Sequence, residues 1–409
     1  MLFSLRKEWL MESMYFPFEY HERRAVYTTI LSTLLVSSLF LLSSCGSQGN
    51  TGATGSTSST STKAEALQSI RMFDATTGWA MTRNAVLHTI DGGVHWKDVT
   101  PPAHSQNATM DALFLTSNSA WISMSQVDAV TIIVFRTSDG GQTWQKSSIQ
   151  AEISSRVQIT AVDTQHGWIL NHMRGGPQAE IVEIFRTSDG GENWERVSRV
   201  YPASTDGPPP GKLPFGGSKS GLSFVNASTG WVTGSVPVNN LAWVFVTHDG
   251  GAKWQQQALP PLPYTTTALL SFMSPTFFTA NDGILPVNFT SASASGFGMY
   301  VTHDGGATWN SVPIAKEASS ISTIDFIDMQ HGWAIDRGGT NLYATIDGGM
   351  HWTKLTIAST THSLPSFKFL DFVTTEIGWA IGATSSKTPV LLKTVDGGHT
   401  WTTIRYTIS

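Results

Sequence analysis

The chain has 409 residues, of which only 13% are charged, while glycine (37), phenylalanine (20) and tryptophan (15) are plentiful. Glycine supplies backbone conformations that other residues resist and aromatics suit a pleated, half-buried surface, so this composition favours sheets joined by tight turns over helices. A net charge of −5 argues against nucleic acid as a partner, and a single cysteine excludes an internal disulfide framework or a multi-cysteine metal centre.

In chain order, the first feature is Arg23-Arg24 followed by the uncharged run "AVYTTILSTLLVSSLFLLSS" (25–44) and Cys45. A positive region, an apolar stretch and small residues form the layout of a secretory signal. Leu42-Ser43-Ser44-Cys45 resembles the lipobox of bacterial lipoproteins, which implies cleavage before Cys45 and a lipid on its thiol. The alternative is an uncleaved anchor, since ~20 apolar residues span a bilayer. In both cases the arginines stay inside and the rest faces out, at the extracytoplasmic side of a membrane. Translation could begin at Met1 or Met14, and the residues before Arg23 carry no reading. Next comes "GSQGNTGATGSTSSTST" (46–62), without charge or large apolar side chains, a flexible tether. The expected organisation is a signal segment at 1–44, lipidated Cys45 with its tether at 45–65, and one folded domain at 66–409.

That domain is repetitive. "HTIDGGVHW" (88–96) recurs as "RTSDGGQTW" (136–144), "RTSDGGENW" (186–194), "VTHDGGAKW" (246–254), "VTHDGGATW" (301–309), "ATIDGGMHW" (344–352) and "KTVDGGHTW" (393–401). Asp91, Asp139, Asp189, Asp249, Asp304, Asp347 and Asp396 are about 51 residues apart on average, each followed by Trp96, Trp144, Trp194, Trp254, Trp309, Trp352 or Trp401. A Gly-Trp or Ala-Trp pair precedes six of the seven strings, at Trp79, Trp121, Trp168, Trp231, Trp333 and Trp379; the fifth unit has "TANDGILPV" (279–287) instead. Alternating segments such as "ISTIDF" (321–326) and "FKFLDF" (367–372) lie further upstream and read as half-buried strands. Each unit therefore predicts strand A (Ile-x-Phe type), strand B (Gly-Trp-Ala type), strand C (ending in Thr-x-Asp) and strand D (starting at the Trp). Seven such units make an all-β, seven-bladed propeller of four-stranded antiparallel blades. Both terminal units read as complete, and residues 60–66 look too polar to supply the extra strand a shared closing blade would require, so the sequence leaves open how the ring closes.

The string has a mechanical reading as the turn between strands C and D. The Asp carboxylate can accept backbone N–H groups two or three residues ahead, the glycines permit positive φ, and the Trp can bury its ring between blades. It matches the Asp-box, or BNR repeat, and the chain so resembles sialidases, sortilin-type receptors, xyloglucan-cleaving glycosidases and the photosystem II stability and assembly factor family. The last group combines an export signal, one seven-bladed domain and the pairing of Gly-Trp-Ala with Thr-x-Asp-Gly-Gly-x-x-Trp, as this chain does over residues 66–409. That resemblance implies a chaperone-like role in assembling a membrane protein, and a basic surface patch. Here 21 lysines and arginines follow Cys45, thinly scattered.

A sialidase-like or xyloglucanase-like hydrolase is the alternative. Sialidases announce an arginine clamp by Phe/Tyr-Arg-Ile-Pro, which is absent, and Arg136 and Arg186 precede Asp-boxes. Glycoside hydrolysis needs two carboxylates flanking a bond, and Glu180, Asp206 and Asp336 lie in expected loops with nothing to pair them. The histidines are spread over separate blades as turn residues, so neither a metal nor a cofactor is expected. Connections B–C and D–A share one face, and the long ones do too: "NHMRGGPQAE" (171–180), "YPASTDGPPPGKLPFGGSKS" (201–220), "GSVPVNNLA" (234–242) and "NFTSASASGFG" (288–298). Variable loops on a rigid scaffold carry function. Arg174, Tyr201, Asp206, Lys212, Phe215, Lys219, Asn239 and Asn240 are therefore the candidate contacts for a protein or a glycan. The expectation is a non-catalytic, monomeric binding scaffold, anchored to the membrane through Cys45.

Overall fold

Each Gly-Trp segment becomes the second strand of a four-stranded antiparallel unit. In the first unit Ser69–Met72 (A), Gly78–Met81 (B), Val86–Thr89 (C) and His95–Asp98 (D) pair in sequence order. Six more units follow, running from Ala108–Phe114 to Gln145–Gln150, Arg156–Ala161 to Glu195–Arg199, Ser218–Phe224 to Gln255–Gln256, Leu269–Phe272 to Asn310–Val312, Ile321–Phe326 to Thr353–Lys354, and Ser366–Phe372 to Thr402–Ile404. The fold is an all-β propeller, within one compact unit spanning Ala64–Ser409. The computed structural model describes residues 65–102, 108–126, 130–173, 179–200, 202, 210–263, 267–292, 295–312, 320–357, 366–384 and 387–409. The expected signal at 1–44, Cys45 and the tether up to residue 64 lie outside the described residues, as do Arg174, Tyr201 and Asp206.

Burial explains the strand compositions. Strand B is covered on both sides by neighbouring blades, so "GWAM", "GWILNH" and "GWAIGA" are buried at every position, whereas "HWKD" in strand D is mostly exposed. The joints between blades are aromatic. Trp168 stacks on Phe224 at 3.6 Å and Trp333 on Phe372 at 3.7 Å between ring centroids; Trp79 and Phe114, and Trp231 and Phe277, stack more loosely. In each case the tryptophan of one blade meets an inner phenylalanine of the next; in blade 5 this is Phe277, on Thr276–Phe277, a second short segment that pairs with the same strand as Leu269–Phe272. Each such indole except that of Trp231 also donates across the joint: Trp79 to Thr116 O, Trp168 to Gly250 O and Trp333 to Gly397 O. The glycine before the tryptophan is imposed by packing, because a Cβ on Gly230 or Gly378 would come within 2.4 Å of its own blade's Phe224 or Phe372. In the fifth unit Gly283 keeps this role and Ile284 takes the tryptophan's place, in the same register opposite Val301.

The Asp-box turns hold as expected, with a longer reach. In every copy the threonine hydroxyl bonds the aspartate, from 2.7 Å at Thr137–Asp139 to 3.0 Å at Thr89–Asp91, and accepts the second glycine's N–H. The aspartate accepts the N–H four residues ahead, as Asp139 does from Thr143 at 2.9 Å, and Asp91 also takes the one three ahead, from Val94 at 3.1 Å. Both glycines have positive φ in all seven copies.

Ring closure joins the last blade to the first by the same devices. Trp379 donates to Gly92 O at 3.0 Å, Asp371 accepts Met72 N–H and pairs with Arg71 at 3.0 Å, and Ile70, Leu87, Trp379 and Ile381 share one buried cluster. Both terminal blades are complete, as expected. What the sequence reading did not anticipate is a fifth strand, Thr407–Ile408, laid parallel on His95–Trp96 at the outer edge of blade 1.

The straps formed by Asp371 to Met72, Asp325 to Phe372 and Asp111 to Ile159 tie adjacent inner strands. Burial pushes Asp111 and Asp371 up to about 6; burial and the Asp371 charge push Asp325 up to about 7. The Asp-box carboxylates go the other way. The Thr143 hydroxyl holds Asp139 at about 2, and the Thr308 hydroxyl does the same for Asp304. Linkage gives the signs: box carboxylates lose their stabilisation as pH falls below the ordinary value of 3.8 toward about 2, and strap carboxylates lose theirs as pH rises through about 6 to 7. Melting temperature is expected to peak near pH ~4, close to the ordinary carboxylate value at which the two trends cross. Asp325→Asn should flatten the alkaline limb in calorimetric scans, and an unchanged limb would refute this account. Trp379→Ala is expected to cost about 3–5 kcal/mol in urea unfolding.

Candidate functional site

The B–C and D–A connections of blades 3 to 6 build a face whose polar groups are organised from within. The B–C connection of blade 3 and the D–A connection leading into blade 4 meet through a parallel bridge between Ala179 and Gly217, with Glu180 N–H donating to Phe215 O at 3.1 Å. Glu180 is the node. Its carboxylate accepts His172 Nδ1 at 2.7 Å and Lys219 N–H at 2.8 Å, and Arg156 reaches His172 Nε2 at 3.0 Å from the other side. Burial acts to raise Glu180, but the His172 and Lys219 bonds prevail and hold it below the ordinary carboxylate range.

Lys219 is a correction to the sequence reading, which placed it among the surface contacts. It is 1% exposed, and its ammonium donates to the carbonyls of Glu180, Phe215 and Gly217 at 2.9–3.0 Å while lying 5.1 Å from the Trp243 ring. Burial pulls its pKa down to about 8. An amine that satisfies three carbonyls is a clamp for the two connections. Phe215 is likewise half-buried against the core between blades 3 and 4. Lys212 is half-buried, 3.4 Å from Ala252 O. Asn239 and Asn240 are exposed, and Asn240 sits at φ 54° with its N–H on Ala268 O.

Beside these asparagines the structure opens a cavity of about 300 Å³ that the sequence reading missed, between Val236-Pro237, Leu269-Leu270, Asn288 and Arg337. It lies where blades 4 and 5 touch edge to edge, through Ser235 and Ser271. Leu269 is 42% exposed at its rim, and Arg337, also exposed, is the one charged residue lining it. An apolar wall, hydroxyl and amide groups and a lone guanidinium suit an extended polypeptide that brings a carboxylate. The available signal was the alternation in "ALLSF", which sets Leu269 and Ser271 on the outward side of a strand, opposite Leu270 and Phe272.

Of the carboxylates weighed for a hydrolase, Glu180 and Asp336 are not brought together, and Asp206 lies outside the described residues. Asp336 is buried in the B–C turn of blade 6, accepting Thr340 N–H at 2.8 Å and Asn341 Nδ2 at 2.6 Å, while Glu180 belongs to blade 3. Histidines pair with turn aspartates, as His95 does with Asp91 and His331 with Asp328. Arg136 and Arg186 also serve joints: each donates to a carbonyl in the next blade's Asp-box, of Gly190 and Asp249.

Comparison with known proteins agrees with this architecture. Residues 301–408 match the family model described as photosynthesis system II assembly factor YCF48. No curated protein sequence matches. Among solved structures, YCF48 bound to a D1 peptide is similar with a TM-score of 0.52 at 18% identity, covering 81% of this chain and 93% of that one. YCF48 from Cyanidioschyzon merolae gives 0.50 at 18% identity, over 80% and 95%. A polysaccharide lyase of family PL25 reaches 0.47 at 10% identity, over 70% and 80%, too remote to bear on chemistry.

Removing the Lys219 ammonium takes a donor from three carbonyls, of which Phe215 O keeps the Glu180 N–H. Lys219→Ala is therefore expected to destabilise the protein by about 1–3 kcal/mol and to speed proteolysis in the 201–217 connection, read by urea unfolding and limited digestion.

Proposed function

We propose that this chain is a non-catalytic scaffold that holds a polypeptide partner on the loop face of blades 3 to 6 during assembly of a membrane protein. The observation that carries this reading is the similarity in fold to a YCF48 propeller solved with a D1 peptide bound, together with the peptide-sized cavity under Arg337. Lipid attachment at Cys45 and the uncharged tether would keep the propeller at the outer side of a bacterial membrane while leaving it free to turn.

The chemistry of the face supports binding over turnover. Its carboxylates are consumed in fixing loops, and Glu180 and Asp336 are both held below the ordinary range, the wrong direction for a general acid. Among the described residues, raised carboxylates gather on the inner ring, at Asp325 and Asp371, where each is bonded to the next blade's backbone. A hydrolytic reading would have to start there.

The test is affinity capture from membranes with the full chain and with Leu269→Ser/Arg337→Ser, beside a glycan array. Recovery of one membrane protein complex, reduced at least about tenfold by the double substitution, is the expected result. Undiminished capture by the variant would remove the loop face from the mechanism. Binding to an oligosaccharide alone would replace the scaffold by the carbohydrate reading.

A further inference from the structure

The opposite face, made of the A–B turns and the Asp-boxes, is not uniform around the ring. Nine large hydrophobic side chains are exposed among the described residues, and five of them lie on three Asp-boxes: Ile90, Val94, Ile346, Met350 and Val395. Those boxes belong to blades 6, 7 and 1, which are consecutive, because Trp333 bonds the box of blade 7 and Trp379 that of blade 1. The residue between threonine and aspartate is Ile346, Val395 and Ile90 here, 76%, 65% and 74% exposed. In the other four blades it is Ser138, Ser188, His248 and His303. The turn does not require an apolar residue at this position, so the arc is separate from the architecture.

Between Ile346 and Val395 a cavity of about 430 Å³ opens, floored by Trp333 and Leu355 and edged by Glu376 and Asp396, with no lysine or arginine in its lining. The turns of these three blades carry six carboxylates, Asp74, Asp91, Asp328, Asp347, Glu376 and Asp396, against one lysine, Lys393, whose ammonium is held by Ala75 O and the Trp379 ring. Apolar anchors inside an acidic surround define the complement. An anionic lipid surface would be repelled, and a second copy docking the same arc would set carboxylates against carboxylates.

We propose that the Asp-box face of blades 6, 7 and 1 docks a polypeptide segment that inserts an apolar side chain between Ile346 and Val395 and sets lysines or arginines against Glu376 and Asp396. The proposal does not rest on the loop face, which lies on the other side of the ring.

The probe is a fluorescent peptide of alternating lysine and leucine, with glutamate–leucine and lysine–serine peptides as controls, titrated into the full chain by anisotropy. The variant Ile90→Ser/Ile346→Ser/Val395→Ser gives each box the residue that blades 2 and 3 carry, so the turn is retained, and calorimetry checks it. Expected is binding of the lysine–leucine peptide alone, weakened at least about tenfold by the triple substitution and also by Glu376→Gln. Equal binding to the triple variant, or equal binding of the glutamate–leucine peptide, would overturn the proposal. Self-association in sedimentation, or retention on phosphatidylcholine–phosphatidylglycerol vesicles, abolished by the same substitutions would overturn it in favour of a second copy or a lipid surface.

Discussion

Everything in this propeller depends on a blade having no interior of its own. Four twisted strands make a sheet one layer thick, and its apolar faces are covered only by the sheets on either side. The buried clusters accordingly straddle joints: Trp168, Leu170 and Ile184 of one blade pack with Leu222, Phe224 and Val232 of the next. The tryptophan on strand B is the main instrument. It stacks on the following blade's phenylalanine and, in most joints, its N–H reaches the following blade's backbone, so one side chain sets both the spacing and the angle between neighbours.

That constraint explains why the architecture was legible in the sequence. A joint made the same way in each blade needs the same residues each time, and thirteen of the fifteen tryptophans serve these two recurring motifs. The fifth unit shows what the motif encodes. Ile284 replaces the tryptophan without loss of register, because Gly283 still clears Phe277 and strand pairing is fixed by the backbone. Parts that occur once were harder to read. The strand at Thr407–Ile408 is too short to show a period, and the Asp371–Met72 strap joins residues 299 positions apart.

The loop face was readable in outline and misread in detail. Variable connections border one of the cavities, yet charge in a loop did not mean charge at the surface. Lys219 turns inward because Glu180, Phe215 and Gly217 offer it three carbonyls beneath an indole, a constellation that only the folding of two separate connections creates. Arg337, which follows a strand instead of occupying a long loop, carries the charge at the cavity. Positions within a repeat that its mechanics leave free, such as the middle of Thr-x-Asp, are where a repeated fold can write something specific, and an inspection aimed at finding what recurs passes over them.

The parallel strand on blade 1 sets an order of events. Its partner segment, His95–Trp96, emerges from the ribosome some three hundred residues before Thr407–Ile408 does. Through that interval the outer edge of the first blade stands unpaired, an exposed template for strand addition by a neighbouring nascent chain, and its inner side waits equally long for Asp371 and Trp379. Blades 2 to 6 can condense one upon another as they appear. The first blade is thus the earliest made and the last completed, which places the domain's greatest need for protection during synthesis at its first blade.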